Sequence, residues 1–465
     1  MAPSVSAVEY YAGKNVFITG ATGFIGKALV EKLLRSCPGV GKIYMLMREK
    51  KGKSVKERLN VFLNCPIFDN LRQNSPESLE KLRIVSGDIT QENLGISAAD
   101  RSELQNNCHV VFHIAACVRF DMPLRAAVEY NTKATKSLLE IVEGIKNLEV
   151  FVHVSTSYCQ HEKVVLEEKL YPTPHSPQRI MDFVEWMDDD MLADIEQKFI
   201  YPHGNTYAYT KALTEQLVSQ YAGKFPIAIA RPSIVIASFK EPMPGWVDNL
   251  NGPTGVMLVA TKGVIHSMLC YEEYQIDGVP LDITVNGCIL LGYLTALEKS
   301  SEIRICNVTQ SGVNAINWKT AINIGYNLTY EYPYSQFLWV PWGAPSRSWL
   351  WHNIKAFFFH FLPAYFIDIL VFLLGKKPFM VKVYKRVKFG LEILSYYSTK
   401  EWIFRNDYFR SLKNVVSKED NNIFYTDIAE VDWNIYMKNY ILGIRKYICH
   451  EDPANLPQAK RVFNM

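Results

Sequence analysis

Short apolar segments alternate with longer amphipathic ones over the first half of the chain. Six of the apolar segments have the length of β-strands; in chain order between residues 14 and 235 they read KNVFITG, KIYMLM, LRIVSGDI, HVVFHIAA, VFVHVST and FPIAIARPSIV. Between them lie runs such as AAVEYNTKATKSLLEIVEG, in which apolar positions recur with the helical period. Because strands that alternate with helices form parallel sheets, the pattern predicts an α/β fold with a doubly wound parallel sheet.

The pattern changes beyond residue 240. A Pro/Gly/Asn loop and a mixed segment come first, followed by an apolar run of 19 residues over 356–374 and then by short aromatic-rich segments. Six Lys and Arg residues lie between 376 and 388. We therefore predict four regions: a doubly wound domain over 1–240, a smaller cap over 241–340, a membrane-associated helix with a basic flank over 350–390, and a helical C-terminal domain over 391–465.

The apolar run is borderline for a membrane span, which needs about 20 apolar residues. Its basic flank favours the cytosolic leaflet, and the N-terminal segment has no apolar core of signal-peptide length. A single span would put the first domain and the flank on opposite sides. We therefore expect residues 356–390 to lie in a membrane surface as a helix or hairpin, bent near Pro363 with Asp368 at the headgroups. A true span is the alternative.

The composition of the chain limits the partners and the compartment that we expect. The formal net charge is +3, too small for a nucleic-acid surface, so no nucleic-acid partner is expected. Nine cysteines are scattered singly without a C-x-x-C, which indicates reduced thiols in the cytosol, and no His, Asp or Glu cluster has metal-ligand spacing. The chain does not end in S-K-L, so the endoplasmic reticulum is expected rather than the peroxisome. The oligomeric state is left open.

A glycine-rich turn joins the first predicted strand to the helix after it. Gly20, Gly23 and Gly26 follow the spacing G-x-x-G-x-x-G within KNVFITGATGFIGKALVEKLL. This spacing lets the backbone approach a pyrophosphate, whose negative charge is stabilised at a helix N-terminus. The turn therefore predicts a dinucleotide site.

Cations follow the second predicted strand. Arg48 is followed by Lys50, Lys51 and Lys53, against the single acid Glu49. A dinucleotide without a 2′-phosphate is usually met there by an acidic side chain on the ribose, whereas the phosphorylated form needs cations. NADPH is therefore the expected cofactor.

The stretch GNTYAYTKALTEQL, residues 204–217, holds two tyrosines and one lysine within a predicted helix. Positions i and i+4 share a helix face, so Tyr207 lies beside Lys211, while Tyr209 points away. A neighbouring ammonium group favours the phenolate form of tyrosine and so makes the hydroxyl a usable acid. Tyr207 and Lys211 are therefore the predicted catalytic pair.

The motifs TGATGFIG, GDI at 87–89, HIAA at 113–116, VSTS at 154–157 and Tyr207-x-x-x-Lys211 occur in the order found in extended short-chain dehydrogenases/reductases. Longer stretches, including MREKKGKSVKERL, HGNTYAYTKALTEQL and GVPLDITVN, resemble eukaryotic, insect-like alcohol-forming fatty acyl-CoA reductases. The resemblance covers nearly the whole chain and implies a Rossmann-type fold. It also implies NADPH-dependent reduction of long-chain fatty acyl-CoA to the primary alcohol and CoA, by two hydride transfers through a bound aldehyde. A reductase acting on another lipophilic substrate, such as a sterol, is the alternative.

The resemblance also implies which residues form the site. Beside Tyr207 and Lys211, it assigns the second catalytic hydroxyl to Ser157, with Ser155 and Thr156 as alternatives because the strand register is open. The residues expected to contact the cofactor come from these motifs: Thr19, Gly20, Thr22, Gly23, Phe24, Ile25, Gly26, Arg48, Lys51, Asp88, Ile89, Ala115, Tyr207 and Lys211.

Four other residues have chemistry that a structural role explains better. Cys159 could form a thioester, but no cationic or histidine partner is evident in the sequence. His113 and His153 lie in apolar strands and are interpreted as core histidines with satisfied hydrogen bonds. Asp282 is expected to cap a helix or fix a loop rather than to act in catalysis.

Overall fold

The computed structural model describes residues 3–50, 52–160 and 162–464, and its contacts divide the chain into two compact units. The first unit consists of residues 1–235, 279–311 and 402–428, and the second of residues 236–278, 312–401 and 429–465. The two units therefore interleave along the chain. Parts of the predicted cap and C-terminal domain belong to the first unit, and the four-region division stays a prediction.

Seven parallel strands form the central sheet of the first unit. They are β1 Val16–Thr19, β2 Ile43–Met47, β3 Leu82–Ser86, β4 Val110–His113, β5 Val150–Val154, β6 Ile227–Pro232 and β7 Arg304–Val308. Their spatial order is β7-β6-β5-β4-β1-β2-β3, so the chain reverses direction across the sheet between β1 and β4. The predicted doubly wound sheet is confirmed. The sequence analysis had not counted β7, which the long helix before it brings back to the sheet.

Helices cover both faces of this sheet. The α-helices of the first unit are Ala7–Tyr11, Phe24–Ser36, Val55–Leu63, Asp69–Asn74, Ala98–Asn107, Leu124–Val128, Ala134–Val142, Pro177–Trp186, Asp189–Phe199, Thr206–Ser219, Leu281–Glu298, Asp407–Val415 and Lys418–Ile423. Every residue of β1, β2, β4, β5 and β6 is buried, as expected for parallel strands with a helix layer on each face. Helix Leu281–Glu298 is apolar and long enough to span a membrane, but it is almost wholly buried as a core helix.

The second unit is mainly helical. Its α-helices are Pro253–Thr261, Trp318–Glu331, Trp349–Ala356, Leu362–Leu373, Met380–Ser398, Trp433–Gly443 and Leu456–Phe463. Short strands elsewhere in the chain are Val165–Leu166, Ile234–Ile236, Gln275–Ile276, Gly278–Pro280, Ile316–Asn317 and Ile403–Phe404. The 3-10 helices are Pro66–Phe68, Pro76–Lys81, Glu92–Gly95, Ser157–Gln160, Ile428–Glu430 and Pro453–Asn455, and the π-helices are Glu129–Lys133, Phe357–Phe361 and Ile444–Ile448.

The apolar run forms one arm of a helical hairpin in the second unit. Helical structure continues from residue 349 to residue 373 through the π-helix at 357–361, and the chain turns at Gly375, whose φ is +72°. Helix Met380–Ser398 then packs back against Leu362–Leu373. We call residues 349–398 the hairpin.

One expectation about the apolar run is wrong, and another stays a prediction. The hairpin turns at Gly375 and not near Pro363, which lies within the helical run 349–373 just after the π-helix Phe357–Phe361. Asp368 is buried within the hairpin, and its expected place at the headgroups stays a prediction. Its carboxylate accepts hydrogen bonds from the backbone N–H groups of Phe379, Met380 and Val381 at 2.8, 2.7 and 2.9 Å, and so caps the second arm of the hairpin.

Candidate active site

The glycine turn lies at the carboxyl end of β1 and approaches the backbone after β4. Gly20 has a φ of +74°, and a Cβ atom built on it would lie 2.6 Å from the amide nitrogen of Ala115. A Cβ atom on Gly26 would lie 2.2 Å from the carbonyl oxygen of Gly20. Helix Phe24–Ser36 begins after Gly23, and no side chain caps it there. A tight backbone cradle at a helix N-terminus fits the pyrophosphate of a dinucleotide.

Thr19 fixes the loop that faces this turn. Its Oγ1 lies 2.7 Å from Nδ1 of His113 and accepts a hydrogen bond from the backbone N–H of Ala115 at 3.3 Å. The other ring nitrogen of His113 lies 2.8 Å from Oγ1 of Thr135. Burial, and secondarily the charge of Lys211, lower the pKa of His113 to about 3, so the ring is neutral. His113 is the satisfied core histidine that the sequence analysis expected.

Arg48 directly follows β2 and forms an ion pair with Asp88. Its Nη1 donates to Oδ2 of Asp88 at 2.8 Å, and Oδ1 of the same carboxylate accepts from the N–H and hydroxyl of Thr90. Burial opposes ionisation, but the hydrogen bonds from Arg48 and Thr90 lower the pKa of Asp88. Ile89, the next residue, packs against the core. The pair holds a cation beside the adenosine end of the predicted site.

Arg58 is a second cation at this place, and the sequence analysis missed it. It lies on helix Val55–Leu63, where one guanidinium nitrogen donates to the carbonyl of Arg48 and another lies 3.4 Å from Oγ1 of Thr22. Burial, followed by the charge of the neighbouring Arg48, lowers the pKa of Arg58. Lys51 lies outside the described residues, and Lys50 is exposed. In the sequence Arg58 looks like an ordinary surface residue of a polar helix.

Lys211 is buried at the carboxyl end of β5, with 2% of its surface exposed. Its Nζ donates to the carbonyl oxygen of Val154 at 2.7 Å. Burial lowers its pKa to about 8, although Glu215 and Cys159 act in the opposite direction. The ammonium group is therefore held at the strand end, with a pKa close to neutrality.

The two tyrosines of helix Thr206–Ser219 have different surroundings. Tyr207, one turn before Lys211, is half-buried, and its ring meets the edge of Phe120 at a centroid distance of 5.5 Å. Tyr209 is fully buried, its hydroxyl lies 3.0 Å from Nδ1 of His175, and burial raises its pKa. Tyr209 is thus a core residue, as the helix period predicts.

The three hydroxyl side chains after β5 differ in the hydrogen bonds that they form. Ser157 is fully buried and donates to the carbonyl oxygen of Arg231 at 2.6 Å. Thr156 accepts from the backbone N–H of Tyr158 at 3.2 Å, which leaves its own proton for another acceptor. Ser155 is buried and has no hydrogen-bond partner among the described residues. The hydrogen bonds therefore favour Thr156 or Ser155 over Ser157 as a donor to a substrate, and the assignment to Ser157 stays a prediction.

The remaining candidates keep structural roles. Cys159 is fully buried with its thiol 3.5 Å from Glu215, and burial together with that acid raises the pKa of the thiol, which disfavours a nucleophilic thiolate. The hydroxyl of Tyr425 donates to Asp282, consistent with a loop-fixing role. His153 is buried, but neither ring nitrogen has a partner among the described residues, so its expected hydrogen bonds are not formed.

Asn131 joins the site from a π-helix that the sequence did not reveal. Its Oδ1 accepts from the backbone N–H of Cys117 at 2.8 Å, and its Nδ2 donates to Oγ1 of Thr210 at 3.0 Å. It thereby ties the loop after β4 to the helix that carries Tyr207 and Lys211. The sequence spacing does not mark Asn131, because its role depends on tertiary contacts with Cys117 and Thr210.

Comparison with known families agrees with this geometry. Two family profiles, both described as male sterility protein, match residues 18–288 with an NAD-binding profile and residues 359–451 with a profile named Sterile. Fatty acyl-CoA reductase 1 of Rattus norvegicus is 37% identical over 468 residues, covering 99% of this chain and 89% of the relative. The chain belongs to the fatty acyl-CoA reductase family. Fatty acyl-CoA reductase 2 of Mus musculus is 36% identical over 460 residues, covering 97% of this chain and 88% of the relative.

Solved structures show the fold of this reductase at larger distance. The reductase domain of a non-ribosomal peptide synthetase from Mycobacterium tuberculosis has a TM-score of 0.60 at 17% identity, covering 96% of this chain and 93% of that one. UDP-glucuronic acid 4-epimerase from Bacillus cereus, in complex with NAD, has a TM-score of 0.52 at 17% identity, covering 95% and 99%. The family uses NADPH. The glycine cradle and the two cations Arg48 and Arg58 fit that cofactor.

Proposed function

We propose that this protein reduces long-chain fatty acyl-CoA to the primary alcohol and free CoA with NADPH. The observation that carries the proposal is Lys211, buried at the carboxyl end of β5 one helical turn after Tyr207, in a chain of the fatty acyl-CoA reductase family. The relatives give the sterol alternative no support. The glycine turn at Gly20, Gly23 and Gly26 would hold the pyrophosphate, and Arg48 with Arg58 would hold the 2′-phosphate.

Tyr207 is the proton donor in this proposal. The phenol of tyrosine has a pKa near ~10 in water, too high for ready proton exchange at neutral pH. A positive charge one turn away favours the phenolate, so Lys211 makes Tyr207 a better acid. By its position Lys211 would also bond the nicotinamide ribose, which orients the cofactor.

Thr156 is better supported than Ser157 as the second hydroxyl, and Ser155 remains an alternative. An oxyanion needs a donor whose proton is not already shared, and the proton of Ser157 is shared with Arg231. Thr156 uses its oxygen as an acceptor and keeps its proton available. Tyr207 and Thr156 together would therefore stabilise the negative charge that develops on the substrate carbonyl.

In this proposal, both reductions take place at the same active site. Bound NADPH would supply a hydride to the carbonyl carbon in each. In the first, Tyr207 and Thr156 hold the oxyanion of the tetrahedral thioester adduct, whose collapse breaks the carbon–sulfur bond, releases CoA thiolate and leaves an aldehyde. In the second, Tyr207 gives its proton to the alkoxide and forms the alcohol. Each alcohol therefore consumes two NADPH.

The same proposal includes binding of the hairpin to a membrane surface. Large apolar side chains along its first arm and turn are exposed, namely Trp349, Leu350, Trp351, Phe357, Phe358, Leu362, Tyr365, Phe366, Ile369, Phe372, Leu373, Leu374 and Phe379. An exposed apolar surface of this extent marks an interaction site. The hairpin turns back at Gly375, so its fold supports insertion from one side, with both arms returning to the same leaflet.

The charges around the turn support an anionic leaflet as the partner. Lys376, Lys377, Lys382, Lys385, Arg386 and Lys388 are all exposed and follow the apolar arm directly. Basic groups beside an apolar segment bind the cytosolic face of membranes, where anionic lipids lie. Membrane binding by the hairpin would also shorten the path of a long acyl chain through water. This is favourable because exposing each methylene to water costs about 0.8 kcal/mol.

The test is a product assay on the purified protein. With NADPH and stearoyl-CoA we expect fatty alcohol as the product and two NADPH oxidised for each CoA thiol released. Release of free aldehyde with one NADPH consumed would confine the protein to the first reduction. No NADPH oxidation with palmitoyl-, stearoyl- or oleoyl-CoA would reject the proposal.

A further inference from the structure

Beneath the predicted catalytic pair lies a buried ion pair that the proposed chemistry does not use. Glu215 stands one helical turn after Lys211, so Tyr207, Lys211 and Glu215 occupy one face of helix Thr206–Ser219. Nε and Nη2 of Arg231, on β6, donate to the two carboxylate oxygens of Glu215 at 2.8 and 2.6 Å. Both side chains are at most 3% exposed.

Lys211 needs such an anion. An ammonium group moved out of water loses its hydration, and a single hydrogen bond to the carbonyl of Val154 does not replace it. Among the described residues, the acid whose charge supports the protonated form of Lys211 is Glu215. Without that charge, burial would release the proton nearer to neutral pH, and Tyr207 would lose its electrostatic partner.

Arg231 keeps the carboxylate in place. A free glutamate in a buried site would rotate toward any available donor, but the two-pronged guanidinium fixes both oxygens. The same guanidinium donates to the carbonyl oxygens of Glu167 and Lys169 at 3.2 and 3.0 Å, and the backbone oxygen of Arg231 accepts the proton of Ser157. Arg231 is therefore fixed by its bonds to Glu215, to two backbone carbonyl oxygens and to the hydroxyl of Ser157.

We propose that Glu215 and Arg231 are positioning residues that act through Lys211: the carboxylate supports the charge of the ammonium group, and the guanidinium fixes the carboxylate. Ser157 belongs to this layer as the residue that anchors the backbone of Arg231. The inference rests on the proposed function, because it assigns a task to Lys211 in that reaction.

Three titratable groups near Lys211, among the described residues, stay neutral over the pH range of the measurement. His113 and His153, on β4 and β5, are neutral because burial, followed by the charge of Lys211, lowers the pKa of each. Cys159, in the turn after β5, keeps its proton because burial raises the pKa of its thiol. Between pH 6 and 9, these three groups therefore do not contribute to the pH dependence.

The sign of the pH effect follows from the depressed pKa of Lys211. The ammonium group is present below about pH 8 and is lost as the pH rises through that value. NADPH binding and turnover that need the charge should therefore decline above about pH 8. Removing the charge of Glu215 lowers the pKa of Lys211 further, so this alkaline limb should move to lower pH, by about one unit.

The experiment compares Glu215→Gln, Glu215→Asp and the double variant Glu215→Gln with Arg231→Met, using the full chain. NADPH affinity from fluorescence and acyl-CoA-dependent NADPH oxidation are each measured from pH 6 to 9. We expect the limb to shift by about one unit in Glu215→Gln and to stay at the wild-type position in Glu215→Asp. In the double variant the shift should be smaller, because the positive charge of Arg231 is removed together with the carboxylate. Glu451→Gln, which breaks the buried pair with Arg445 in the second unit, is the matched control and should leave the limb unchanged.

A folded Glu215→Gln or double variant whose limb coincides with the wild type would overturn the inference and leave the pair a purely structural one. If Glu215→Gln fails to fold, the double variant decides, because it leaves no unpaired charge in the interior. If wild-type protein oxidises no NADPH with any acyl-CoA, the proposed function fails, while the pH dependence of NADPH binding still decides the role of the pair.

Discussion

At the carboxyl end of β5 in the first unit, Lys211, Glu215 and Arg231 are buried, whereas along the hairpin of the second unit Trp349, Phe366 and Leu373 are exposed. Charged side chains are usually exposed and large apolar side chains are usually buried. The first region reverses the first tendency, and the hairpin reverses the second. Buried charge is retained where a proton must be controlled in a medium that strengthens electrostatics. Exposed apolar surface is retained where another apolar phase covers it. The sign of the departure from these tendencies therefore separates the predicted reaction site from the proposed membrane surface.

The largest expected effect concerns the acid itself. Tyr207→Phe removes the hydroxyl and should lower kcat by about a thousandfold, since general acid catalysis contributes on the order of 10² to 10⁴. NADPH affinity should change little, because Lys211 remains. Steady-state kinetics and fluorescence titration measure the two quantities.

Tyr209→Phe is the matched control on the same helix. It loses the contact with His175 and should lower the free energy of unfolding by about 1 kcal/mol while leaving kcat near the wild-type value. A kcat for Tyr207→Phe equal to that of Tyr209→Phe would remove Tyr207 from the chemistry.

The second effect separates the neighbouring hydroxyls. Thr156→Val should lower kcat by about a hundredfold if its proton stabilises the oxyanion. Ser157→Ala should instead lower the free energy of unfolding by about 1 to 3 kcal/mol, because it breaks a buried hydrogen bond to Arg231. Kinetics and thermal denaturation of both variants decide, and the reverse assignment would restore Ser157 as the catalytic hydroxyl.

The third effect concerns the hairpin. Phe372→Glu with Leu373→Glu should weaken binding to vesicles of phosphatidylcholine and phosphatidylserine by about tenfold for each side chain, as expected from the burial of large apolar groups. Turnover of a short, water-soluble acyl-CoA should be unaffected. Sedimentation with vesicles gives the partition coefficient.

Trp186→Glu provides the control for exposure alone, since Trp186 is 70% exposed but lies in the first unit. It should not change vesicle binding. Equal losses from Trp186→Glu and the hairpin variant would show that general apolarity, rather than the hairpin, drives the association.

The smallest effect concerns the choice of cofactor. Arg58→Ala should reduce the preference for NADPH over NADH by about tenfold, because a charge-assisted hydrogen bond to a phosphate is worth about 1.5 to 3 kcal/mol. Lys53→Ala, which changes an exposed cation just before the helix that carries Arg58, should change this preference less. A preference unaltered by Arg58→Ala would exclude this residue from phosphate binding.

The sheet and the face of the helix that carries Tyr207 and Lys211 could be predicted from the sequence because both depend on short-range periodicity. Apolar runs mark strands, and a spacing of four marks one helix face. Arg58 and Asn131 could not be found that way. Their roles depend on where a helix packs relative to a strand end, which leaves no periodic trace in the sequence.

The hairpin shows the same limit. Its apolarity was evident from the sequence, but the place of its turn was not. Pro363 suggested a bend, yet the helix continues through it, and Asp368 is used to cap the returning arm. A capping bond between residues more than ten positions apart depends on tertiary structure, so the local rule for proline could not place the turn.

The most direct test of the central claim is the structure of the complex with NADPH. The account predicts that Nζ of Lys211 lies within hydrogen-bond distance, about 2.6 to 3.2 Å, of a nicotinamide ribose hydroxyl, with the Tyr207 hydroxyl facing C4 of the ring. A complex in which the Tyr207 hydroxyl points into the protein interior, or lies beyond the reach of its side chain from the nicotinamide, would contradict it.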